Sequence, residues 1–190
     1  MDIDWTHELV EQFDWHWQNH LRPRLDGLTD DEYLWEPAPG AWSVRRRSEA
    51  TTSMAVGSAD TVIDYEPGDP MPGPFTTIAW RIGHISIGIF GARAANHFGD
   101  GGVWYDNVDW PLDAAGGLAL LESSYRAWLD GVKALDLEAL GRPVGPHEGP
   151  FAEYPFAALI LHINREAIHH GAEICLLRDL YAAHLNGGIR

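Results

Sequence analysis

A long apolar segment, residues 155–185, constrains this chain most, because its periodicity predicts one helix with a buried face. The main apolar stripe consists of Leu159, Ile163, Ile174 and Leu177, and His170 falls near the middle of it. A histidine that points into a core needs a hydrogen bond or a metal ion as its partner. The segment therefore predicts a core helix and a polar partner for His170.

Glu166 lies four residues before His170, so both side chains project from the same helix face, about 6 Å apart at their Cβ atoms. Two ligands at this spacing can hold one metal ion, as they do in other helical metal sites. The same spacing also suits a hydrogen-bonded pair without a metal. The spacing alone leaves both interpretations open.

The same helix carries a second apolar strip, formed by Leu161, Ile168, Ala172, Leu176 and Leu180. A helix that is apolar on more than one side packs against more than one partner. Because a symmetric dimer is the commonest assembly, we expect a homodimer.

Apolar periodicity predicts three further long helices, over residues 4–25, 76–98 and 112–134, and a short one over residues 28–35. No internal repeat and no second domain boundary interrupts them. The sequence therefore predicts a single all-α domain over residues 1–190, a four-helix bundle with long crossover loops.

The longest crossover, residues 45–74, is rich in Pro, Gly and small polar residues. A loop of this length in a compact domain is often functional, so we expect it to line or cover a site. Residues 61–65 are compatible with a short hairpin.

The predicted helix over residues 76–98 carries an apolar stripe of Ile78, Ile82, Ile85 and Ile89. His84 lies off this stripe, on a face with Trp80, Gly88 and Gly91. Because glycine destabilises a helix, these two glycines predict a neighbour that approaches closely. Taken alone, His84 is more typical of a buried hydrogen-bonded histidine than of a metal ligand.

The net charge of −15 makes nucleic acid and anionic membrane surfaces unfavourable partners. The single cysteine, Cys175, excludes an internal disulfide and fits a reducing compartment. The N-terminus lacks the pattern of a signal peptide, and no apolar run is long enough to span a membrane. We therefore expect a cytoplasmic protein without membrane contact.

Two other clusters of polar residues have the composition of a site. His16 and His20 are also four residues apart, but they precede a helix end, where a solvated or hydrogen-bonded face is favoured over a metal pair. Arg45, Arg46 and Arg47 have the chemistry of an anion clamp. A solvated loop paired with acids is the favoured interpretation.

Three short motifs resemble the DinB-like family, which includes the N-terminal domains of mycothiol-dependent maleylpyruvate isomerases. They are Pro-Gly-Ala-Trp42-Ser, Thr-Ile-Ala-Trp80-Arg-Ile-Gly-His84-Ile and Asn-Arg-Glu166-Ala-Ile-His-His170-Gly-Ala-Glu-Ile. The order and spacing of the motifs cover most of the chain. The resemblance implies a four-helix bundle with one divalent metal.

The resemblance places that metal on His84, Glu166 and His170. Most relatives have three histidines, and a glutamate at the middle position is similar to the mycothiol-dependent branch. Two imidazoles and one carboxylate suit Zn²⁺ best, with Ni²⁺, Mn²⁺ and Fe²⁺ as alternatives. Three protein ligands leave an open position for a small molecule.

These implications predict a thiol-dependent S-transferase, in which a metal-activated thiol, with mycothiol as a candidate, attacks a small electrophile. The chain does not include the appended domain of the isomerases, so the isomerase activity itself is a weaker expectation. The alternatives are a metal-dependent hydrolase and a non-catalytic dimeric module with a structural metal.

Neighbouring residues on the last helix leave further alternatives. His162 can support Glu166 by a hydrogen bond or replace a ligand. His169 is expected to be structural or interfacial. Glu173 either orients the second ring nitrogen of His170 or lies at the surface.

Overall fold

The computed structural model describes residues 3–68 and 73–187. Helix α1 comprises Trp5–His16, a π-helical segment at Trp17–Leu21 and Arg22–Leu25, and α2 is Asp30–Tyr33. Strands β1 and β2 are Val44–Arg46 and Thr61–Ile63. Helix α3 comprises Ile78–Gly83, a π-helical segment at His84–Gly91 and Ala92–Phe98. Helices α4, α5 and α6 are Ala114–Lys133, Leu137–Gly141 and Phe156–Leu185. Short 3₁₀ helices are Arg47–Glu49, Tyr105–Asn107 and Pro146–Phe151.

The predicted all-α fold is confirmed, and a side-chain cap marks the start of three of the long helices. The carboxylate of Asp4 accepts a hydrogen bond from the His7 amide at the start of α1. Thr77 and Asp113 cap α3 and α4 in the same way. Each cap satisfies an amide that lacks a partner within the helix, which fixes the helix start.

Long helices α1 and α3 do not pack mainly on each other; each contacts both α4 and α6. Four aromatic rings fill the space where α1, α3 and α4 meet: Phe13, Trp17, Phe90 and Tyr125. Trp17 and Tyr125 stack at 4.0 Å with an interplanar angle of 7°. Phe90 lies 5.8 Å from Trp17 and 5.9 Å from Tyr125. This burial supplies much of the apolar stabilisation at this end of the core.

The long crossover between α2 and α3 is anchored by a small antiparallel sheet. Val44 pairs with Ile63, and Arg46 pairs with Thr61. The strand expected near residues 61–65 is therefore present, but its main partner is distant rather than adjacent. Buried Asp64 explains this pairing, because it accepts hydrogen bonds from the Ser43 amide and the Arg45 guanidinium.

The π-helical segments, α5 and the 3₁₀ helices in the connections were not predicted. The apolar stripe of α3 continues through its π segment, so the sequence pattern does not reveal the change of period. In the described part of the chain, no helix combines the length and apolar character needed to cross a bilayer.

A buried ion pair ties α2 to α6. The Arg178 guanidinium donates two hydrogen bonds to the Glu32 carboxylate, at 2.7 and 3.0 Å, and Glu32 is only 6% exposed. Arg178 also donates to the carbonyl oxygen of Asp26, at 2.9 Å. The pair therefore holds the α1–α2 turn against α6.

We expect Arg178→Ala to lower the free energy of unfolding by about 3–5 kcal/mol, because it leaves the buried Glu32 carboxylate without a counter-charge. Urea unfolding followed by circular dichroism measures the change. Arg142→Ala is the control: Arg142 pairs with Glu138 at the surface, where solvent screens the charges and such pairs add little to stability. Equal effects of the two substitutions would contradict a stabilising role for the buried pair.

Candidate metal centre

His84 and His170 meet at the interface between α3 and α6. Their ring centroids are 4.8 Å apart and the rings are nearly perpendicular. His84 opens the π segment of α3, and His170 lies in the middle of α6. The structure thus brings together two of the three predicted ligands, which are far apart in the sequence.

Hydrogen bonding fixes the tautomer of His170. Its Nδ1 lies 2.7 Å from Glu173 Oε2 and 3.3 Å from an Arg81 nitrogen. Guanidinium nitrogens only donate and carboxylate oxygens only accept, so Nδ1 can serve just one of these partners. The shorter contact indicates that Nδ1–H donates to Glu173, which leaves the lone pair on Nε2.

Glu173 is held by Arg81 as well as by His170. Arg81 Nε lies 3.0 Å from Glu173 Oε2. Burial by itself would raise the pKa of Glu173, but the hydrogen bond from His170 and the charge of Arg81 hold that pKa below its ordinary value. Glu173 is therefore an ionised acceptor that orients His170, as carboxylates do behind metal-binding histidines. Of the two interpretations of Glu173, the orienting one is confirmed.

Glu166 faces the free nitrogen of His170. Its Oε2 lies 3.7 Å from His170 Nε2, beyond hydrogen-bond distance. The His170 tautomer makes both atoms acceptors, so they face each other with their lone pairs. Such an arrangement is unfavourable unless a proton or a metal ion lies between them. The other carboxylate oxygen of Glu166 accepts from Arg165, at 3.0 Å.

His84 is held on two sides. Its ring stacks on Trp80 at 5.1 Å, and its Nδ1 lies 2.8 Å from the Tyr105 hydroxyl. Burial is the main cause that lowers the pKa of His84 to about 3, and a proton on His170 would add to this effect. The imidazole is therefore neutral near pH 7, which is the form that binds metals.

Gly88 allows Tyr105 to reach His84. A Cβ atom on Gly88 would overlap the Tyr105 hydroxyl and would lie 3.1 Å from His84 Nδ1. The prediction that this glycine has a close neighbour is confirmed. At Gly91 the nearest atom to a Cβ, the Ser86 carbonyl oxygen at 2.8 Å, belongs to the same π segment, and the nearest atom of another helix is Ser124 Oγ at 3.5 Å. π-Helical segments are frequent at functional sites, and this one carries His84 and Gly88 together.

A cavity of about 760 Å³ opens beside His84 and Glu166. One wall is the crossover, with Met54, Val56 and Tyr65, as expected for a loop that lines a site. Trp104 and Tyr105 form another wall, from the connection between α3 and α4. The cavity is mostly apolar and aromatic with a few polar groups, which is the composition of a small-molecule site.

His169, His170 and Glu173 form a cluster whose potential ligand atoms all lie within 4.8 Å of one another. Within the residues that the structure describes, this group can hold a metal ion. The 2.7 Å contact between His170 and Glu173 has hydrogen-bond length, however, and Glu173 is already paired with Arg81. These contacts favour Glu173 as an orienting group. The ligand atoms of His84, Glu166 and His170 do not form such a close group among the described residues, so this set stays a prediction.

His162 lies beside Glu166, as expected if it supports that residue and does not replace a ligand. Its Nδ1 is 3.6 Å from Glu166 Oε1 and 2.6 Å from an Arg165 nitrogen. Because the Arg165 guanidinium only donates, His162 Nδ1 accepts, and Arg165 links His162 to Glu166. This geometry supports a neighbouring role for His162.

The two remaining clusters have different outcomes: Arg45 is paired with acids, as favoured, whereas His16 Nδ1 is buried and has no hydrogen-bond partner among the described residues, which a solvated or hydrogen-bonded face does not predict. His16 and His20 have ring centroids 5.5 Å apart on α1, and no third ligand completes a site there among the described residues. Arg45 pairs with Asp64 and Glu36, at 2.7 and 2.8 Å. It is therefore a structural residue of the crossover rather than an anion clamp.

Sequence reasoning missed Tyr105, Arg81 and Arg93 as individual residues of the site. Arg81 holds Glu173, and Arg93 lines the cavity from α3. Arg81 lies three residues before His84, so helical spacing was the available indication for it, whereas Arg93 lies five residues after Gly88 and outside that spacing. Tyr105 lies in an irregular connection, where no pattern indicates its direction.

The helical fold places a cluster of histidines and carboxylates between α3 and α6, beside a cavity. A family model of the DinB superfamily matches residues 12–174. The match spans most of the chain, so this chain belongs to the DinB superfamily. Comparison with curated proteins and with solved structures gives no match.

We expect Gly88→Ala to displace Tyr105 from His84 and to lower the free energy of unfolding by about 1–3 kcal/mol, the cost of overpacking. This outweighs the gain of about 0.5–1 kcal/mol that alanine brings to a helix. Gly141→Ala is the control, because a Cβ there meets nothing within 4 Å. Urea unfolding measures both. A Gly88 variant as stable as the wild type would show that Tyr105 does not depend on this glycine.

Proposed function

We propose that this chain is an enzyme that binds a divalent metal through His84, Glu166 and His170 and transfers a small thiol to an electrophile. The observation that carries the proposal is the 3.7 Å separation between His170 Nε2 and Glu166 Oε2, two acceptors that face each other. Two atoms bound to one ion at about 2.0–2.2 Å lie roughly 3.4 Å apart in tetrahedral geometry. The observed separation is close to that value.

The donor set also fits such an ion. Both imidazoles have Nδ1 engaged, His84 with Tyr105 and His170 with Glu173, so Nε2 of each is available to a metal. Oriented imidazoles of this kind are typical of metal sites. Two imidazoles and one carboxylate favour Zn²⁺, with Ni²⁺, Mn²⁺ and Fe²⁺ as alternatives.

A divalent ion at this site would lower the pKa of a thiol and make it a strong nucleophile. The chain's own residues have separate tasks. Arg81 and Glu173 hold His170, and Tyr105 and Trp80 hold His84, so neither imidazole needs to reorganise. The aromatic cavity walls exclude water and bury the apolar part of a small electrophile. Mycothiol is a candidate thiol on the family resemblance.

The first test is the metal content per chain by elemental mass spectrometry, for protein purified without chelators. We expect about one divalent ion per wild-type chain and a large loss in Glu166→Ala, because one of three ligands is removed. Glu11→Ala, at an exposed position of α1, is the matched control. His162→Ala should retain the ion if His162 only supports Glu166.

The second test follows thiol consumption with an electrophile such as N-ethylmaleimide, at stoichiometric metal. Metal-dependent consumption that falls with Glu166→Ala supports thiol transfer. Turnover that needs metal but no thiol would identify a hydrolase instead. A wild-type protein that neither retains nor rebinds Zn²⁺, Ni²⁺ or Mn²⁺ would overturn the metal site.

We also propose that the protein forms a homodimer through α6. On the second apolar strip, Leu161, Ile168 and Leu176 are 57%, 37% and 58% exposed. An apolar row of this length along one straight helix is self-complementary under a twofold axis. Burying it against a second copy would remove these side chains from water.

We expect the double substitution Ile168→Glu with Leu176→Glu to convert a dimer into a monomer, because it would place carboxylates in the apolar interface. Light scattering coupled to size-exclusion chromatography measures the mass. Leu137→Glu is the control, since Leu137 is 68% exposed and lies on α5. A wild-type mass near 21 kDa would contradict the dimer.

A further inference from the structure

A second cavity, of about 590 Å³, lies next to the first. Arg93 and His162 line both cavities. A molecule bound beside the candidate metal centre can therefore extend past these two side chains into the second cavity. The candidate metal centre does not itself use this second cavity.

The polar groups of the second cavity are mainly nitrogen donors. Arg93, Arg165, His147 and His162 line it together with one carboxylate, that of Glu148. One Glu148 oxygen is engaged by buried His97 at 3.0 Å, while the other lies 3.5 Å from Arg93. In a chain with a net charge of −15, Arg165 is paired with Glu166 at 3.0 Å, so Arg93 is the guanidinium of this cavity whose charge is least neutralised.

Arg93 retains donors for a ligand. Its side chain is 23% exposed and donates to the Gly88 carbonyl, and its contact with Glu148 is at the limit of hydrogen-bond distance. A guanidinium carries five N–H donors, so several remain for an incoming anion. Because Glu148 and Glu166 lie nearby, a singly charged carboxylate is favoured over a doubly charged phosphate.

The opposite rim of the cavity is aromatic. Phe151 and Tyr154 are 57% and 55% exposed, and their rings contact each other edge to face at 5.5 Å. Exposed rings beside a basic group match a ligand that has a flat apolar part and an acid.

We infer that the second cavity binds the carboxylate group of one of the two reactants, with Arg93 as the residue that receives it. The assignment to a reactant rests on the proposed function, whereas the binding of a carboxylate does not. Arg93 thus selects acidic reactants over neutral ones, because a charge-assisted hydrogen bond would be lost with a neutral group.

The test is isothermal titration calorimetry of chelator-treated protein with benzoate and with its neutral analogue benzamide. Removing the metal ensures that benzoate cannot bind through an ion. We expect benzoate to bind at least about tenfold more tightly than benzamide, and Arg93→Gln to abolish the difference. Arg126→Gln, at a 71% exposed side chain on α4, should leave it unchanged.

Tyr154→Glu provides a second variant at an exposed position, in case Arg93→Gln disturbs the fold. Its added charge should weaken benzoate binding about tenfold relative to Tyr154→Gln. Equal affinities for benzoate and benzamide, or a preference that survives both Arg93→Gln and Tyr154→Glu, would overturn the inference. Tighter binding of inorganic phosphate than of benzoate would also overturn it.

Pairs of acidic and neutral reactants then identify whether the electrophile or the thiol carries the carboxylate. If it is the electrophile, Arg93→Gln raises KM for 3-maleimidopropionate and leaves that for N-ethylmaleimide unchanged. If it is the thiol, KM rises for 3-mercaptopropionate and not for 2-mercaptoethanol. Metal content is measured separately, so a failed metal site and a failed carboxylate site give different results.

Discussion

The hydrogen bond between His170 and Glu173 determines what the interface between α3 and α6 can do. It places the proton of His170 on Nδ1 and turns the lone pair of Nε2 toward Glu166. Arg81 supports the bond by holding the Glu173 carboxylate. The resulting pair of facing acceptors lies in a partly buried position, where their repulsion is poorly screened. A metal ion bound by both atoms would remove this repulsion, which is why the proposed function places one there.

The π segment of α3 supplies the other half of the centre. It presents His84 to His170, and the missing side chain of Gly88 lets Tyr105 reach the His84 ring. Arg93, two residues beyond the segment, lines both cavities and donates to the Gly88 carbonyl within the segment. One local departure from α-helical geometry therefore connects the histidine, the aromatic wall and the basic subsite.

Much of the fold was predictable from the sequence. The predicted helices over residues 76–98 and 112–134 match the observed α3 and α4 to within two residues. The location of Glu166 and His170 on one face of α6 was likewise predictable, from their four-residue spacing. These features are local, because helical periodicity and side-chain caps act within a few residues. The involvement of His84 needed the family resemblance, since nothing in its own helix distinguishes a ligand from a buried histidine.

Tertiary structure alone decided how the centre is supported. Tyr105 bonds to His84 across 21 residues, Arg81 approaches His170 across 89, and Glu148 approaches Arg93 across 55. Each of these partners has an unremarkable sequence neighbourhood, and its direction depends on how separate segments pack. The sequence by itself thus determined the helices and the candidate ligands. Their tautomers, their supporting groups and the second cavity followed from packing, because hydrogen bonds between distant residues leave no periodic pattern in the chain.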